Sequence, residues 1–500
     1  MKKNEALKYY REHQKKVNAY TTVLSCAYYD KETIAPVAGN SYRNECMGYM
    51  YGEAFTIETD PKYIECVNVL SKEKLDSATK RDVELSLKAL ENIIKFTKED
   101  VMEFDMAQMQ SFDAWQVAKR TDNYQLYKPH LLKLIELSKK RAKIRNDKKD
   151  PYDLYLDDYE EGMTKKKYDE FFSLVRKELV PVIKGVSENQ DRIDDSFLYK
   201  FYPKEKQEIF MKEIHKYLGF DPSWGYMGVS EHPFTMGISH NDVRITTAYN
   251  EHNITSSIFS VIHECGHAFY EHQVDKKYEG TNILRSISSG MHESQSRFFE
   301  NYLGRRKSFW VTLYPKLQKL FPENLKDVSL DDFVKAINVA KPSLIRTDAD
   351  ELTYPMHIVV RYEIEKSIFE NTADLENLDK IWKDKYKELL GVDVPTDREG
   401  ILQDVHWSDA SFGYFPTYAL GSAIGAQLLH KMEKDIPLDE YLSKGQFKKV
   451  TDYLKNNLQK YGAMYDYNTL LKMVTGETFK PKYYISYLKK KYTSLYGLKH

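Results

Sequence analysis

The chain has 500 residues, with 74 Lys and Arg against 75 Asp and Glu, for a formal net charge of -1. So even a balance excludes the basic excess of a general nucleic-acid binder, and 42% hydrophobic with 30% charged residues excludes wholesale disorder. No stretch approaches the ~18 consecutive apolar residues of a membrane span. The basic start MKKNEALKYYREHQKK has no apolar run behind it, so the expectation is a cytoplasmic protein with no nucleic-acid or membrane partner. Four cysteines, Cys26, Cys46, Cys66 and Cys265, form no CxxC pair and read as reduced thiols. Glycine (22) and proline (16) are scarce, which favours helix throughout. Tyrosine is abundant, at 39 residues. These are expected as large core residues with polar tips or as groove-lining groups.

In chain order, Leu7, Tyr10, Val17, Tyr20, Leu24 and Ala27 recur at helical spacings. The stretches Asp76–Phe96, Asn123–Arg145 and Lys165–Val186 read as further amphipathic helices. The acidic, tyrosine-rich segment KKDPYDLYLDDYEEGMT between the last two is expected to be a loop around Pro151 and Gly162. Texture changes at about residue 221, where Pro222, Gly225, Gly228, Pro233 and Gly237 cluster. Val243, Ile245, Thr246, Thr247 and Tyr249 follow with the clearest strand signal, so Trp224–Tyr249 is predicted as a small sheet. Helices are predicted to resume at about Ser256 and to continue to the end, with a loop at Ser408–Pro416. No linker or repeat interrupts the chain. The expected architecture is mostly α: one large helical domain over 1–500, with two lobes at approximately 1–220 and 221–500.

Directly after the strand segment stands His263-Glu264-Cys265-Gly266-His267, an HExxH pattern. Residues i and i+4 of a helix share one face about 5–6 Å apart, and two imidazoles there can reach one Zn²⁺ at roughly 2.0–2.1 Å each. Glu264, beside the first ligand, is placed to take a proton from a metal-activated water. A catalytic zinc needs a third protein ligand. The extended pattern HExxHxxGxxH is excluded, because Tyr270 and Gln273 stand where it requires Gly and His. His272 is poorly aligned with the His263/His267 face. A helix predicted over Ile287–Trp310 offers Glu293, with His292 and Glu300 as competitors, and spacing alone does not choose among them.

HECGH followed by GMHESQSRFFEN resembles the carboxypeptidase Taq family of metallocarboxypeptidases. The resemblance is carried further by DKETIAP (Asp30–Pro36), PYDLYLDDYEEGMT, HPFTMG (His232–Gly237) and DVRITT (Asp242–Thr247). It continues in IRTDADELTYPMH (Ile345–His357) and GILQDVHWSDASFGYFPTYALG (Gly400–Gly421). It implies a helical fold with a deep groove, similar to the neurolysin and angiotensin-converting-enzyme type. It also implies a homodimer, one divalent metal per subunit, and removal of single C-terminal amino acids with broad specificity from peptides with a free C-terminus. Carried over by position, the metal ligands are His263, His267 and Glu293, and Glu264 is the acid/base. Zinc suits the donor set, and Co²⁺ or Mn²⁺ could also fill it. Two departures stand out: Ala248 where the family usually has arginine, and Cys265 where a small residue such as Ala is common.

The remaining candidates rest on residue chemistry together with these motifs. Tyr414, a phenol in FGYFP, is the expected donor to the oxyanion of the reaction, with Tyr418 as its alternate. Arg346 is the expected fork for a terminal carboxylate, against a structural ion pair with Asp348 or Asp350. Arg244 could do the same, against a pair with Asp242. His232 and His406 are expected near the substrate, Gln295 behind the metal ligands, and Asp348 and Glu351 as groove or structural acids. The alternative activities are an oligoendopeptidase or dipeptidyl carboxypeptidase on the same groove, or a non-catalytic peptide binder with a structural metal. Structural sites usually close with four protein ligands, and the sequence offers no evident fourth.

Overall fold

The computed structural model describes residues 1–285 and 287–498. Nine helices precede the sheet: α1 (Lys3–Thr33), α2 (Asn40–Glu58), α3 (Pro61–Leu70), α4 (Ser77–Glu91), α5 (Lys98–Thr121), α6 (Tyr124–Arg145), α7 (Pro151–Tyr159), α8 (Lys165–Ser187) and α9 (Lys204–Leu218). The sheet comprises β1 (Gly225–Val229), β2 (Thr235–Ser239) and β3 (Asp242–Thr247) in the order β1-β3-β2. The β1–β3 pair is parallel and the β2–β3 pair antiparallel. The helices that build the interior beyond it are α10 (Ile254–Gln273), α11 (Asn282–Arg285), α12 (Ser289–Arg297), α13 (Tyr354–Phe369), α14 (Pro416–Asp435) and α15 (Lys482–Tyr496). The fold is thus mostly α with one small sheet, as the breaker-poor composition predicts.

Three elements differ from expectation: the loop expected at Ser408–Pro416 begins already at Gly391, where α-helix gives way to irregular chain until Pro416. The segment read as a loop at Pro151 is the helix α7. Asp150 caps it by accepting from the Tyr152 and Asp153 amides, Pro151 occupies the first turn, and Tyr152 and Leu156 are buried. Proline costs nothing at that position, because its missing N–H would be unpaired anyway. The helix expected over Ile287–Trp310 is broken: α12 passes into a π-helical turn, Phe298–Leu303, and regular structure then lapses before Lys307. The widened turn still keeps Glu300 on the side that faces His263.

The buried apolar side chains form two clusters that part near residue 95. Ala6, Tyr10, Tyr63, Val67, Leu70 and Val83 of α1, α3 and α4 form a separate small cluster. Helices α6, α8 and α9 belong to the large cluster that also holds α10 to α15. The stripe Phe171, Val175, Leu179 and Val182 on α8 explains this, since it must be buried and α13 and α15 cover it. Many tyrosines serve the same core with their tips paired: Tyr152 to Glu365, Tyr202 to the Phe197 carbonyl, and Tyr302 to the Ser422 carbonyl.

α12 is gripped from two sides, and glycine permits both approaches. A Cβ on Gly266 of α10 would lie 2.5 Å from the Gln295 carbonyl oxygen. A Cβ on Gly421 of α14 would lie 2.9 Å from Glu293 Cβ. The start of α12 is held by buried Glu160, which accepts from the Gly290 amide at 2.9 Å.

Burial pushes the Glu160 carboxyl from its ordinary 4.5 up to about 8, against the lowering effect of its bonds to Ser288 and Gly290. An unfolded chain ionises this group near 4.5, whereas the folded chain retains the proton to about 8. Folding therefore takes up a proton in that window, and stability falls as pH rises through it. Glu160→Gln removes the cost and keeps an acceptor for Gly290. Its stability gain over the parent is expected to grow between pH 5 and pH 8 by roughly 1–3 kcal/mol. Thermal denaturation at the two pH values measures this, and a pH-independent difference would contradict it.

Candidate metal centre

α10 is capped by Asn253 and buries Ile258, Phe259, Val261, Ile262, Ala268 and Phe269, which fixes its rotation. The face left toward the interior cavity carries His263, Glu264 and His267. α12 crosses α10 at Gly266 and brings Glu293 opposite the two imidazoles. Glu293 Oε2 lies 3.4 Å from His267 Nε2 and 3.8 Å from His263 Nε2. One donor atom from each of the three residues falls within 4.8 Å of the others, and this is the only such grouping among the described residues.

The surroundings favour a divalent cation. Burial, and then His292, hold His267 down to about 3, so its ring is neutral and free to donate a lone pair. Burial alone would raise the Glu293 carboxyl, but Arg297, then His263 and His267, hold it well below the usual range. Arg297 Nε donates to Glu293 Oε1 at 2.7 Å, which turns Oε2 toward the histidines. Glu300 Oε2 sits 2.8 Å from His263 Nδ1, aiming Nε2 at the cluster. Burial raises Glu300, yet Arg297 and His263 overcome this and bring it down to about 2. Among the described residues no fourth protein donor joins the three, and the donor set matches an open metal site.

Glu264 is buried beside the cluster, and Thr235 Oγ1 donates to its Oε2 at 2.6 Å. The sheet sets that contact. Thr246 Oγ1 accepts from the Phe234 amide at 2.9 Å, and Thr247 Oγ1 bonds Ser260 of α10 at 2.9 Å. Burial pushes the Glu264 carboxyl up, against His263 and Thr235, which lower it.

The cavity has a volume of about 880 Å³, and Tyr414, Tyr418 and Arg346 line it opposite α10. The Tyr414 and Tyr418 rings meet edge to face at 5.2 Å. Burial raises both phenols, which keeps them protonated. Arg346 is paired with Asp404, Nε to Oδ1 at 3.0 Å, and not with Asp348 or Asp350. Asp404 also receives Arg361 Nε at 2.6 Å, so two guanidiniums share one carboxylate and a positive charge is left over. Arg346 also lies 4.9 Å from the Tyr418 ring centroid.

Of the other candidates, His292 and Asp348 also line the cavity, and the rest lie outside its wall. His232 is exposed between β1 and β2, although its neighbours Pro233, Phe234 and Thr235 line the cavity. His406 sits behind the wall, 3.3 Å from the Tyr418 hydroxyl, and burial lowers it to about 4. Arg244 is paired with Asp242 at 2.8 Å. Gln295 faces away and accepts from Gln459. Glu351 is buried against Lys491, whereas exposed Asp348 borders the cavity. His272 stacks on Trp224 at 4.1 Å, and His292 stacks on His267 at 4.4 Å while bonding Glu271. Cys265 is fully buried on the far side of α10, and burial raises its thiol well above the usual range, which suppresses the reactive thiolate.

Sequence reasoning missed Arg297, Thr235 and Asp404. Arg297 was within reach of it, being four residues after Glu293 and so on the same helix face. The pairings of Thr235 and Asp404 join segments 29 and 58 residues apart, and no local signal marks them.

Helix-borne HExxH, a glutamate from a crossing helix and a deep interior cavity together define a metallopeptidase of the all-helical groove type. A family model described as carboxypeptidase Taq (M32) metallopeptidase matches residues 9–492. Carboxypeptidase 1 of Bacillus subtilis is 40% identical over 487 residues, covering 97% of each chain. Thermostable carboxypeptidase 1 of Thermus thermophilus is 32% identical, covering 97% of this chain and 98% of its own. The crystal structure of the M32 carboxypeptidase from Deinococcus radiodurans superposes with a TM-score of 0.95 at 30% identity, covering 99% of this chain and 100% of that one. The chain belongs to the carboxypeptidase Taq (M32) family and is a metal-dependent carboxypeptidase.

Proposed function

We propose that the protein removes amino acids one at a time from the free C-terminus of peptides, with broad side-chain tolerance. His263, His267 and Glu293 would hold one divalent metal, with zinc the best match to two imidazoles and a carboxylate, and Co²⁺ or Mn²⁺ as workable substitutes. When bound, the cation supplies Lewis acidity to the scissile carbonyl and to a water. Glu264 takes the proton from the attacking water and passes it to the leaving nitrogen. Thr235 occupies Oε2 of Glu264, which leaves Oε1 for that transfer. Tyr414 donates its phenolic hydrogen to the oxygen that gains charge, with Tyr418 as the alternate donor. His406 supports Tyr418 from behind. The chain would act as one domain, as a cytoplasmic homodimer.

The observation that carries the exopeptidase reading is Arg346 at the cavity wall, which together with the fully buried Arg361 behind it carries one positive charge more than the Asp404 they share. Asp404 takes Nε and Nη2 of Arg346 and the Tyr354 hydroxyl takes Nη1, so a terminal carboxylate would be met by the second hydrogens of the two Nη groups. Arg346→Ala is expected to lower kcat/KM for free-acid peptides by about 100-fold, or roughly 3 kcal/mol, as for loss of a charge-assisted hydrogen bond. The same substitution should barely change the slow cleavage of amidated peptides. Mass spectra over time on an unblocked peptide should show a ladder of single C-terminal losses, abolished by a chelator. Cleavage of an amidated peptide as fast as its free acid would defeat the reading and favour an endopeptidase.

A further inference from the structure

Tyr414 stands at the end of a long irregular segment, Gly391–Phe415, yet its phenol must be held to within a fraction of an ångström to serve as a donor. A segment of that length does not fix itself. Its anchor is Glu365 on α13, a fully buried carboxylate. Glu365 Oε2 accepts from the Gly413 amide at 2.8 Å and from the Tyr152 hydroxyl of α7 at 2.7 Å, and Oε1 accepts from Trp407 Nε1 at 2.7 Å. One helical turn earlier, Arg361 binds Asp404 of the same segment. α13 therefore pins both ends of the stretch 404–413.

The Gly413 end is fixed most tightly. Gly413 has φ 85°, open to glycine, and a Cβ there would lie 2.8 Å from the Tyr155 carbonyl carbon. Tyr159 of α7 meets the Tyr414 ring edge to face at 5.0 Å. α7 and α13 thus form a clamp, with Glu365 bonded to both α7 and the residue before Tyr414. All three hydrogen-bond donors to Glu365 are neutral, and burial pushes its carboxyl up to about 7. An acid kept at that cost, with its acceptor sites spent on one segment, fits a role in geometry.

We infer that Glu365 is a positioning residue for the hydrolysis, acting through the Gly413 amide to set the reach of the Tyr414 phenol into the cavity. The inference rests on the proposed role of Tyr414. Glutamine at 365 can still accept at one oxygen, but its amide nitrogen meets a second donor, either Trp407 Nε1 or the Gly413–Tyr152 pair. The segment then shifts while α13 stays in place.

The test uses the metal-loaded full-length protein with an unblocked peptide. Parent, Glu365→Gln, Tyr414→Phe and the double variant are compared for kcat, KM, metal content and thermal unfolding. Glu365→Gln is expected to lower kcat by about 30-fold, on the order of a misplacement under 1 Å, with KM within about 2-fold. In the Tyr414→Phe background the same change should cost less than about 3-fold, because the group it positions is already gone. If Glu365→Gln fails to fold, Trp407→Phe removes one donor alone and should give the same pattern with a fall of about 5-fold. A parental kcat in Glu365→Gln with a low kcat in Tyr414→Phe overturns the positioning alone, as does an undiminished effect in the double variant. A parental kcat in Tyr414→Phe overturns the oxyanion role, and the positioning with it.

Discussion

Glu264→Gln is expected to lower kcat by about 10³–10⁴-fold, the usual worth of a positioned general base and acid. Its metal content should match the parent. Glutamine keeps an acceptor for Thr235 Oγ1, so the contact between β2 and α10 survives. Stability should not fall. Burial raises the Glu264 carboxyl, so the folded parent bears a cost as pH rises above the range where an unfolded glutamate ionises, and the neutral amide avoids it. Kinetics on a free-acid peptide, metal analysis and thermal melts at pH 8 together make the measurement. Activity within tenfold of the parent, with metal bound, would show that another group moves the proton.

The second large effect concerns metal affinity, and it contrasts two glutamates seven residues apart. Glu293 turns Oε2 toward both imidazoles, whereas Glu300 contacts only His263 Nδ1. Glu293→Gln is expected to weaken metal binding by about 10³-fold or more, since a three-ligand site loses its one anionic donor. Glu300→Gln should weaken it by only about 10–100-fold, the range for a group that orients a ligand. Titration against a competing chelator gives both constants. The reverse order would make Glu300 the ligand and Glu293 its support. Arg297 explains why both variants are expected to cost stability, because it lies half-buried between the two carboxylates and loses one charge partner in either case.

Much of the chemistry was legible because it is local. HExxH needs only the helical period to put His263 and His267 on one face. A cluster of Gly and Pro marks the strands from about residue 222, and long apolar periodicity marks the helices. The acidic, tyrosine-rich composition of PYDLYLDDY reads as a loop, whereas the helix-start signal of Asp150-Pro151 is what the fold obeys. The π-turn after Arg297 was not legible, and only Gly304, directly behind it, marks where regular structure lapses. The division of the core near residue 95 could not be read either. An amphipathic stripe shows that a helix must be covered, but not which neighbour covers it.

The sequence by itself determined a helical protein with a small sheet, a two-histidine metal motif and, through its ordered motifs, the family. Only the tertiary structure groups Glu293, rather than His292 or Glu300, with the two motif histidines. The reason is the crossing of α10 and α12 at Gly266, a close contact that local periodicity does not encode. The same holds for Arg346, whose partner is Asp404 and not a near neighbour, and for Tyr414, whose place depends on a buried glutamate 49 residues earlier in the chain. Short-range rules fix which groups are available. Which of them meet is set by the packing of distant helices, and in a cavity that α10 to α14 all line that packing decides the chemistry.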